Sequence, residues 1–190
     1  MDAYAKSKTP KEERDRRATP RWAYAAICAG IGLRPVWDVA AERHTAVTPG
    51  RCWTREDDSL SLSWAKTLRR KLRTSGLIVV WMNPPYSDPL TWCAKAAEEA
   101  AQGLIVVGLL PDDRSTNWYR QQVHGVAPSV FLTPERLPFL MPSTGREQRG
   151  NPKGSIIPIW TPWRTGHTSE TVIDLDTWNQ YRPRPLRAAA

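Results

Sequence analysis

The sequence predicts an α/β fold: a mostly parallel central sheet flanked by helices, with an antiparallel edge. Three observations predict it. Two fully apolar runs, residues 77–82 and 104–110, are short, rich in β-branched residues and read as buried strands. Between them Asp88-Pro89 opens an Ala-rich stretch over 90–102 that Gly103 closes, which reads as a capped helix. A strand, a crossover helix and a second strand place the two strands parallel. Late in the chain, Arg136-Leu137-Pro138-Phe139 and Ser155-Ile156-Ile157-Pro158-Ile159-Trp160 read as an antiparallel pair, which supplies the edge.

Composition limits the function. A chain of 190 residues has room for a single core. A formal charge of +8 points to a polyanionic partner, nucleic acid ahead of a membrane surface. The first residues are polar and charged and no apolar run approaches spanning length, so neither a signal peptide nor a membrane helix is expected, and the expected location is the cytoplasm. Cys28, Cys52 and Cys93 are far apart and the His residues show no ligand spacing, so neither a disulfide framework nor a metal site is expected. The ten Trp are expected mostly in the core, with some available to stack on bases.

Taken in order, residues 1–18 mix Lys6, Lys8, Lys11, Arg14, Arg16 and Arg17 with acids and read as a disordered basic arm. Thr19-Pro20 places a cap before a proline at the first position of a helix over 21–29, which Gly30 and Gly32 stop. Pro35-Val36-Trp37-Asp38-Val39-Ala40-Ala41 reads as a strand ending in small residues. A carboxylate followed by small side chains lets a ligand approach the backbone, and a buried Asp capping a turn explains the pattern as well. Residues 42–58 read as a loop ending in Thr54-Arg55-Glu56-Asp57-Asp58, an acidic run readable as a solvated turn or a helix start.

Residues 64–73 carry Lys66, Arg69, Arg70, Lys71 and Arg73 with no acid, and Leu68 and Leu72 at i and i+4 suggest a helix with one apolar seam. Its cations are candidates for DNA phosphate contact, with a solvated face as the alternative. Pro111-Asp112-Asp113-Arg114-Ser115 is a polar loop in which Arg114 is a further candidate contact and Ser115 caps a short helix carrying Trp118 and Tyr119. Residues 129–132 read as a strand. Residues 142–154, with Arg146, Arg149 and Lys153 among Gly and Pro breakers, read as a flexible basic loop over the site and complete the candidate DNA contacts. Residues 172–181 read as a helix, and Arg182-Pro183-Arg184-Pro185 as a disordered end. The expected organisation is therefore an arm (1–18), one catalytic domain (19–163) and a C-terminal extension (164–190).

The segment that organises the rest is Trp81-Met82-Asn83-Pro84-Pro85-Tyr86-Ser87. Neither proline has an N–H, so the strand's ladder ends here. Asn83 and Tyr86 are left on a stiff loop at the carboxyl end of a strand, where open α/β sheets bind ligands. By itself this rigid polar turn suits several amide or amine substrates.

Several segments together resemble the phage-type DNA N6-adenine methyltransferases, the Dam-like group. They are Thr19-Pro20-Arg21-Trp22, Trp37-Asp38-Val39-Ala40-Ala41, Thr54-Arg55-Glu56-Asp57-Asp58-Ser59-Leu60 and Asn83-Pro84-Pro85-Tyr86-Ser87. Leu109-Leu110-Pro111 with Trp118, Arg136-Leu137-Pro138-Phe139, and Gly154-Ser155 leading into Ile159-Trp160 complete the set. The resemblance implies a Rossmann-like methyltransferase fold, S-adenosylmethionine (SAM) as cofactor, double-stranded DNA as partner, and a monomer or weak dimer. For a phage-borne gene it implies the bacterial host cytoplasm. It assigns Thr19, Pro20 and Trp22 to the cofactor motif, and Asp38, Val39 and Ala40 to the place of the glycine-rich cofactor turn. Asp57 or Asp58 is assigned to the ribose or adenine of SAM, and Asn83, Pro84, Pro85 and Tyr86 to the catalytic loop. Two features depart from the group: there is no FxGxG turn, and residues 61–75 are long and basic.

The chemistry explains the residue types. An exocyclic adenine amine is a poor nucleophile because its lone pair is delocalised into the ring. The Asn83 side-chain oxygen and the Pro84 carbonyl can each accept one of its N–H groups, which holds the nitrogen in line for attack. A base inside a duplex must be flipped out to reach such a loop, and Tyr86 offers a ring face for it. The same loop would serve methylation of an RNA adenine or a protein glutamine. Outside the enzymes, a catalytically idle DNA-binding or anti-restriction protein of the same fold is the alternative. The charge and the order of the segments favour DNA, and the intact Asn83-Pro84-Pro85-Tyr86 favours an enzyme.

Overall fold

A computed structural model describes residues 10–163 and 166–183. In chain order the elements are α1 (Lys11–Asp15), α2 (Arg21–Ile31), β1 (Trp37–Asp38), α3 (Trp64–Leu72), β2 (Ile78–Met82), α4 (Pro89–Ala101), β3 (Leu104–Gly108) and β4 (Leu110–Pro111). They continue with α5 (Asn117–Gln122), β5 (Ser129–Leu132), β6 (Phe139–Leu140), β7 (Glu147–Gln148), β8 (Ser155–Trp160), β9 (Ser169–Val172) and α6 (Leu175–Tyr181). Two 3-10 turns, Arg55–Asp57 and Ser59–Ser61, precede α3.

The main sheet runs β1-β2-β3-β8-β5-β9, with β4 also on β8. β1, β2 and β3 are parallel, as the crossover requires, with Val80 opposite Trp37 and Val106 opposite Val80. Within this sheet antiparallel pairing is confined to β8, which runs against β3, β4 and β5, while β9 is parallel to β5. The sheet is thus mostly parallel. The alternation of side chains divides its two faces: Ile78, Val80, Met82, Leu104 and Val106 pack in one core cluster with residues of α3, α4 and α5. Trp81, Val107, Leu109 and Ile157 pack on the other face with Ala26 and Ile27 of α2 and Trp178 of α6.

Several local expectations are corrected. Residues 136–139 do not pair with β8; Phe139 and Leu140 form a small hairpin with Glu147 and Gln148, inside the stretch expected to be a flexible loop. The cap of α2 is Pro20 rather than Thr19, and Gly32 ends that helix in the left-handed region at φ 68°. The short helix α5 starts after Thr116, one residue later than expected, because Ser115 turns its hydroxyl to Asp113. The late helix begins only after Asp174, whose carboxylate accepts from the Thr177 N–H at 2.8 Å, since Ser169–Val172 is taken up as a strand. Of the basic arm, residues 1–9 lie outside the described residues, but residues 10–18 are ordered. Ala18 exchanges backbone hydrogen bonds with Leu140, Arg16 pairs with Glu42 at 3.0 Å, and Asp15 accepts from the Ser87 N–H at 3.1 Å. Low apolar content hid this segment because it docks through backbone groups and charges rather than a hydrophobic face. Arg184 and Pro185, at the expected disordered end, lie outside the described residues.

The basic helix α3 has its own anchor. Glu99 of α4, fully buried, accepts from the Trp64 and Ala65 N–H groups at 2.9 and 2.8 Å and pairs with Lys95 at 2.8 Å. These acceptors satisfy two donors that the helix start would otherwise leave orphaned. Replacing Glu99 by Ala leaves both buried N–H groups without their acceptor and Lys95 with only its longer, 3.6 Å pairing to Glu98. The expected loss is about 3 kcal/mol, read as a Tm fall of roughly 6–12 °C. An unchanged Tm contradicts this anchoring.

Candidate active site

The site lies at the carboxyl ends of β1, β2 and β3. The β2 ladder stops at Met82, whose carbonyl accepts from the Leu109 N–H at 2.8 Å, and the chain turns through Asn83-Pro84-Pro85-Tyr86. The turn closes through the Asp88 N–H on the Pro85 carbonyl at 3.3 Å. Asp88 then caps α4, accepting from the Thr91 hydroxyl at 2.9 Å. From above, the N-terminal segment closes on the loop: the Asn83 Nδ2 donates to the Arg17 carbonyl at 3.3 Å.

Two cavities meet at this loop, one of about 790 Å³ and one of about 560 Å³. Asn83, Ser87, Lys11, Asp15 and Arg17 line both. Of the residues expected to bind the cofactor, Thr19, Asp38, Val39, Ala40 and Asp58 line the larger cavity, whereas Pro20, Trp22 and Asp57 do not. Trp22 instead donates its indole N–H to Glu147 at 2.7 Å and packs edge-on against Trp178. Asp57 is occupied in the turn, where its carboxylate accepts from the Thr54 N–H at 2.7 Å and the Thr54 hydroxyl at 3.0 Å. The Thr54 N–H bond holds its carboxyl below the usual range. The structure therefore separates the two acids. Asp57 builds the capped turn, and Asp58, at φ 43°, borders the cavity.

Asp38 is the most unusual group there. It is 3% exposed, and its carboxylate accepts from the Ala40 N–H at 3.2 Å and the Val47 N–H at 3.3 Å. Burial outweighs both hydrogen bonds and raises its pKa to about 7. The Thr19 hydroxyl and the Trp81 indole N–H, both buried at this cavity, have no partner among the described residues. A buried carboxylate without a cation, an orphaned hydroxyl and an orphaned N–H suit an elongated ligand with both positive charge and hydrogen-bonding groups. Trp81 also belongs to the core, edge-on to Tyr24 with ring centres 5.1 Å apart, as expected for an inward-facing strand residue.

The smaller cavity is lined by Pro84, Tyr86, Trp118, Phe139 and Asn151, with Lys11, Arg14, Arg17, Asp113 and Lys153 supplying charge. Tyr86 packs edge-on against Phe139 at 5.9 Å, and its buried hydroxyl has no partner among the described residues. Burial pushes that hydroxyl's pKa up, so it is a neutral O–H donor.

The candidate DNA contacts are not gathered in one place. Arg69 donates to the Gln102 and Gly103 carbonyls at 3.1 and 3.4 Å, at the entry to β3, the end of the sheet opposite the Asn83 loop. Lys71 lies over the Trp37 ring at 5.9 Å. Neither these nor Lys66, Arg70 and Arg73 line either cavity. Arg114 pairs with Asp112 and Glu170 at 3.1 and 2.9 Å. Lys153 pairs with Asp113 in the wall of the smaller cavity, and Arg146 and Arg149 are exposed on the hairpin segment and line neither cavity. Of the cations that line the cavities, Lys11, Arg14, Arg16 and Arg17 belong to the segment the sequence presented as an arm, and Arg55 and Lys153 complete the set. The segment's one signal was position, directly before Thr19-Pro20.

The family described as DNA N-6-adenine-methyltransferase (Dam) matches residues 6–181. Among curated relatives, a DNA N-6-adenine-methyltransferase of Haemophilus phage HP1 (strain HP1c1) is 29% identical over 158 residues, 83% of this chain and 84% of the relative. One of the same name from Escherichia phage T1 is 28% identical over 182 residues, covering 88% of this chain and 71% of the relative. No solved structure gives a significant match. The family implies a methyl donor, and the larger cavity's buried carboxylate and orphaned polar groups fit a polar, cationic one. The family's match runs through the N-terminal segment, both cavities and the Asn83 loop, and the chain belongs to the DNA N-6-adenine-methyltransferase (Dam) family.

Proposed function

We propose that the protein transfers a methyl group from SAM to the N6 amine of an adenine swung out of duplex DNA. The observation that carries this reading is the meeting of two cavities at Asn83. The larger would hold SAM through Thr19, Asp38, Val39, Ala40 and Asp58, and the smaller would take the base beside Pro84 and Tyr86. SAM, when bound, supplies an electrophilic methyl on a sulfonium centre.

The chain's own residues then do the positioning. Asn83 Oδ1 and the Pro84 carbonyl accept the two amine N–H groups, drawing lone-pair density back onto the nitrogen and orienting it. The Tyr86 ring edges the base pocket, held edge-on against Phe139. Lys11, Arg14, Arg17 and Lys153, with Arg146 and Arg149 on the hairpin segment, supply cations for the DNA backbone. The ionised Asp38 pairs with positive charge on the donor. At the larger cavity Glu42 is tied to Arg16, which leaves Asp38 as the buried acid for that purpose.

Transfer of labelled methyl from SAM to duplex DNA, recovered as N6-methyladenine, tests the reaction. Asn83→Ala is expected to lower the rate by about 10²–10³-fold, with SAM affinity little changed. A variant as fast as the wild type defeats the assigned role. The second test uses pH. A carboxyl raised from 3.8 to about 7 in the fold destabilises the unliganded protein increasingly as pH climbs between those values. The Tm of Asp38→Asn should therefore gain on the wild type between pH 5 and pH 8. SAM should bind the wild type more weakly below pH 7, by about tenfold for each unit, and Asp38→Asn should lack that dependence. A Tm difference and an affinity that are both flat with pH contradict the role of Asp38.

A further inference from the structure

We propose that the backbone carbonyl of Arg17 is a positioning group that fixes which end of the Asn83 side chain meets the substrate amine, and that it makes an amide, rather than a carboxylate, the group this site requires. The inference rests on the reading of Asn83 as the acceptor for the amine.

The contact itself carries the argument. Asn83 Nδ2 donates to the Arg17 carbonyl at 3.3 Å, and a carbonyl can only accept. Turning the amide over would set Oδ1 against that oxygen, two acceptors face to face with no proton between them. One orientation survives, and in it Oδ1 is the atom the side chain offers to a ligand. No other hydrogen bond to Asn83 is formed among the described residues, so the amide's orientation rests on this contact. Arg17 is held in place from several sides. Its guanidinium donates to Asn151 and Gln148 at 3.0 and 3.3 Å, and the next residue, Ala18, exchanges two backbone hydrogen bonds with Leu140. A segment whose side chains vary freely would still present that carbonyl, because the acceptor belongs to the backbone.

A carboxylate at position 83 has no donor for Arg17. It would either face the carbonyl oxygen with repulsion or swing away toward the nearby cations, and both displace the acceptor from the amine. Protonated, the same side chain recovers both functions: its O–H donates to the Arg17 carbonyl and its C=O accepts from the amine. Charged groups that line the cavities with Asn83 come from the N-terminal segment (Lys11, Glu12, Arg14, Asp15, Arg16, Arg17), the loop after β1 (Glu42), the 3-10 turns (Arg55, Asp58), the head of α4 (Asp88) and the far wall of the smaller cavity (Asp113, Lys153). All are present in the wild type as well, and so is Asp38, so their titration cancels when rates are compared as a ratio.

The experiment measures methylation of duplex DNA at saturating SAM for the full chain and for Asn83→Asp from pH 5.5 to 8, and plots the ratio of variant to wild-type rate. The ratio is expected to be about 10⁻² at pH 8 and to rise at least about tenfold by pH 5.5 as the new carboxyl takes up its proton. The same samples are melted at both pH values without SAM or DNA, and the Tm gap between the two proteins should narrow at pH 5.5. A ratio that is flat with pH, whether near one or near zero, overturns the assignment, as does an equal Tm gap at both pH values. A wild type that methylates no DNA defeats the reading of Asn83 itself, so the two failures are distinguishable.

Discussion

The ladder of β2 ends at Met82 because Pro84 and Pro85 have no N–H to extend it, and everything chemical about the molecule is arranged around that stop. The parallel neighbours β1 and β3 bring Asp38 to one side of the stop and the Leu109–Pro111 stretch to the other. The stiff loop then stands between two hollows instead of lying along one wall. A donor and an acceptor of a methyl group must be brought into line from opposite sides. A single rigid loop with a cavity on each side meets that need without moving any strand.

Both cavities carry charge of both signs: the larger has the buried Asp38 with Asp58, beside Arg16 and Arg55, and the smaller has Arg14 and Lys153 beside Asp113, while Lys11, Asp15 and Arg17 line both. The N-terminal segment belongs to both: Asp15 ties it to Ser87, Arg16 to Glu42, and the Arg17 carbonyl to Asn83. Arg17 also donates to Asn151 and Gln148, and Ala18 exchanges backbone hydrogen bonds with Leu140, so the segment is tied to the hairpin as well as to the loop. It forms the shared roof of a proposed two-substrate site.

Much of this was legible in the sequence, for identifiable reasons. The β2-α4-β3 unit follows from apolar runs bounded by an Asp-Pro start and a Gly stop, signals that are local and strong. The Asn83 loop follows from the stereochemistry of proline. The pairing of β8 was not legible, because which strand a run joins is decided by tertiary packing and not by its own pattern. The acid pair illustrates the same limit: Asp57 and Asp58 are indistinguishable in sequence, and only the closed turn on Thr54 shows which carboxylate is spent on structure. Charge density alone did not locate the cavities. The run from Lys66 to Arg73, readable as a DNA face or a solvated one, lies away from both, with Arg69 bonded to a carbonyl at the far end of the sheet. The mixed-charge stretch before Thr19 looked like an arm and instead lines the site.

The central claim is that this loop clamps the amine of an adenine in duplex DNA. Methylome sequencing of cells expressing the wild-type chain, beside cells expressing Asn83→Ala, tests it most directly. The account predicts N6-methyladenine at a defined set of genomic adenines with the wild type and none above background with the variant. Genomic DNA without new N6-methyladenine while the wild-type protein is folded and abundant, or an identical pattern from the variant, would contradict it.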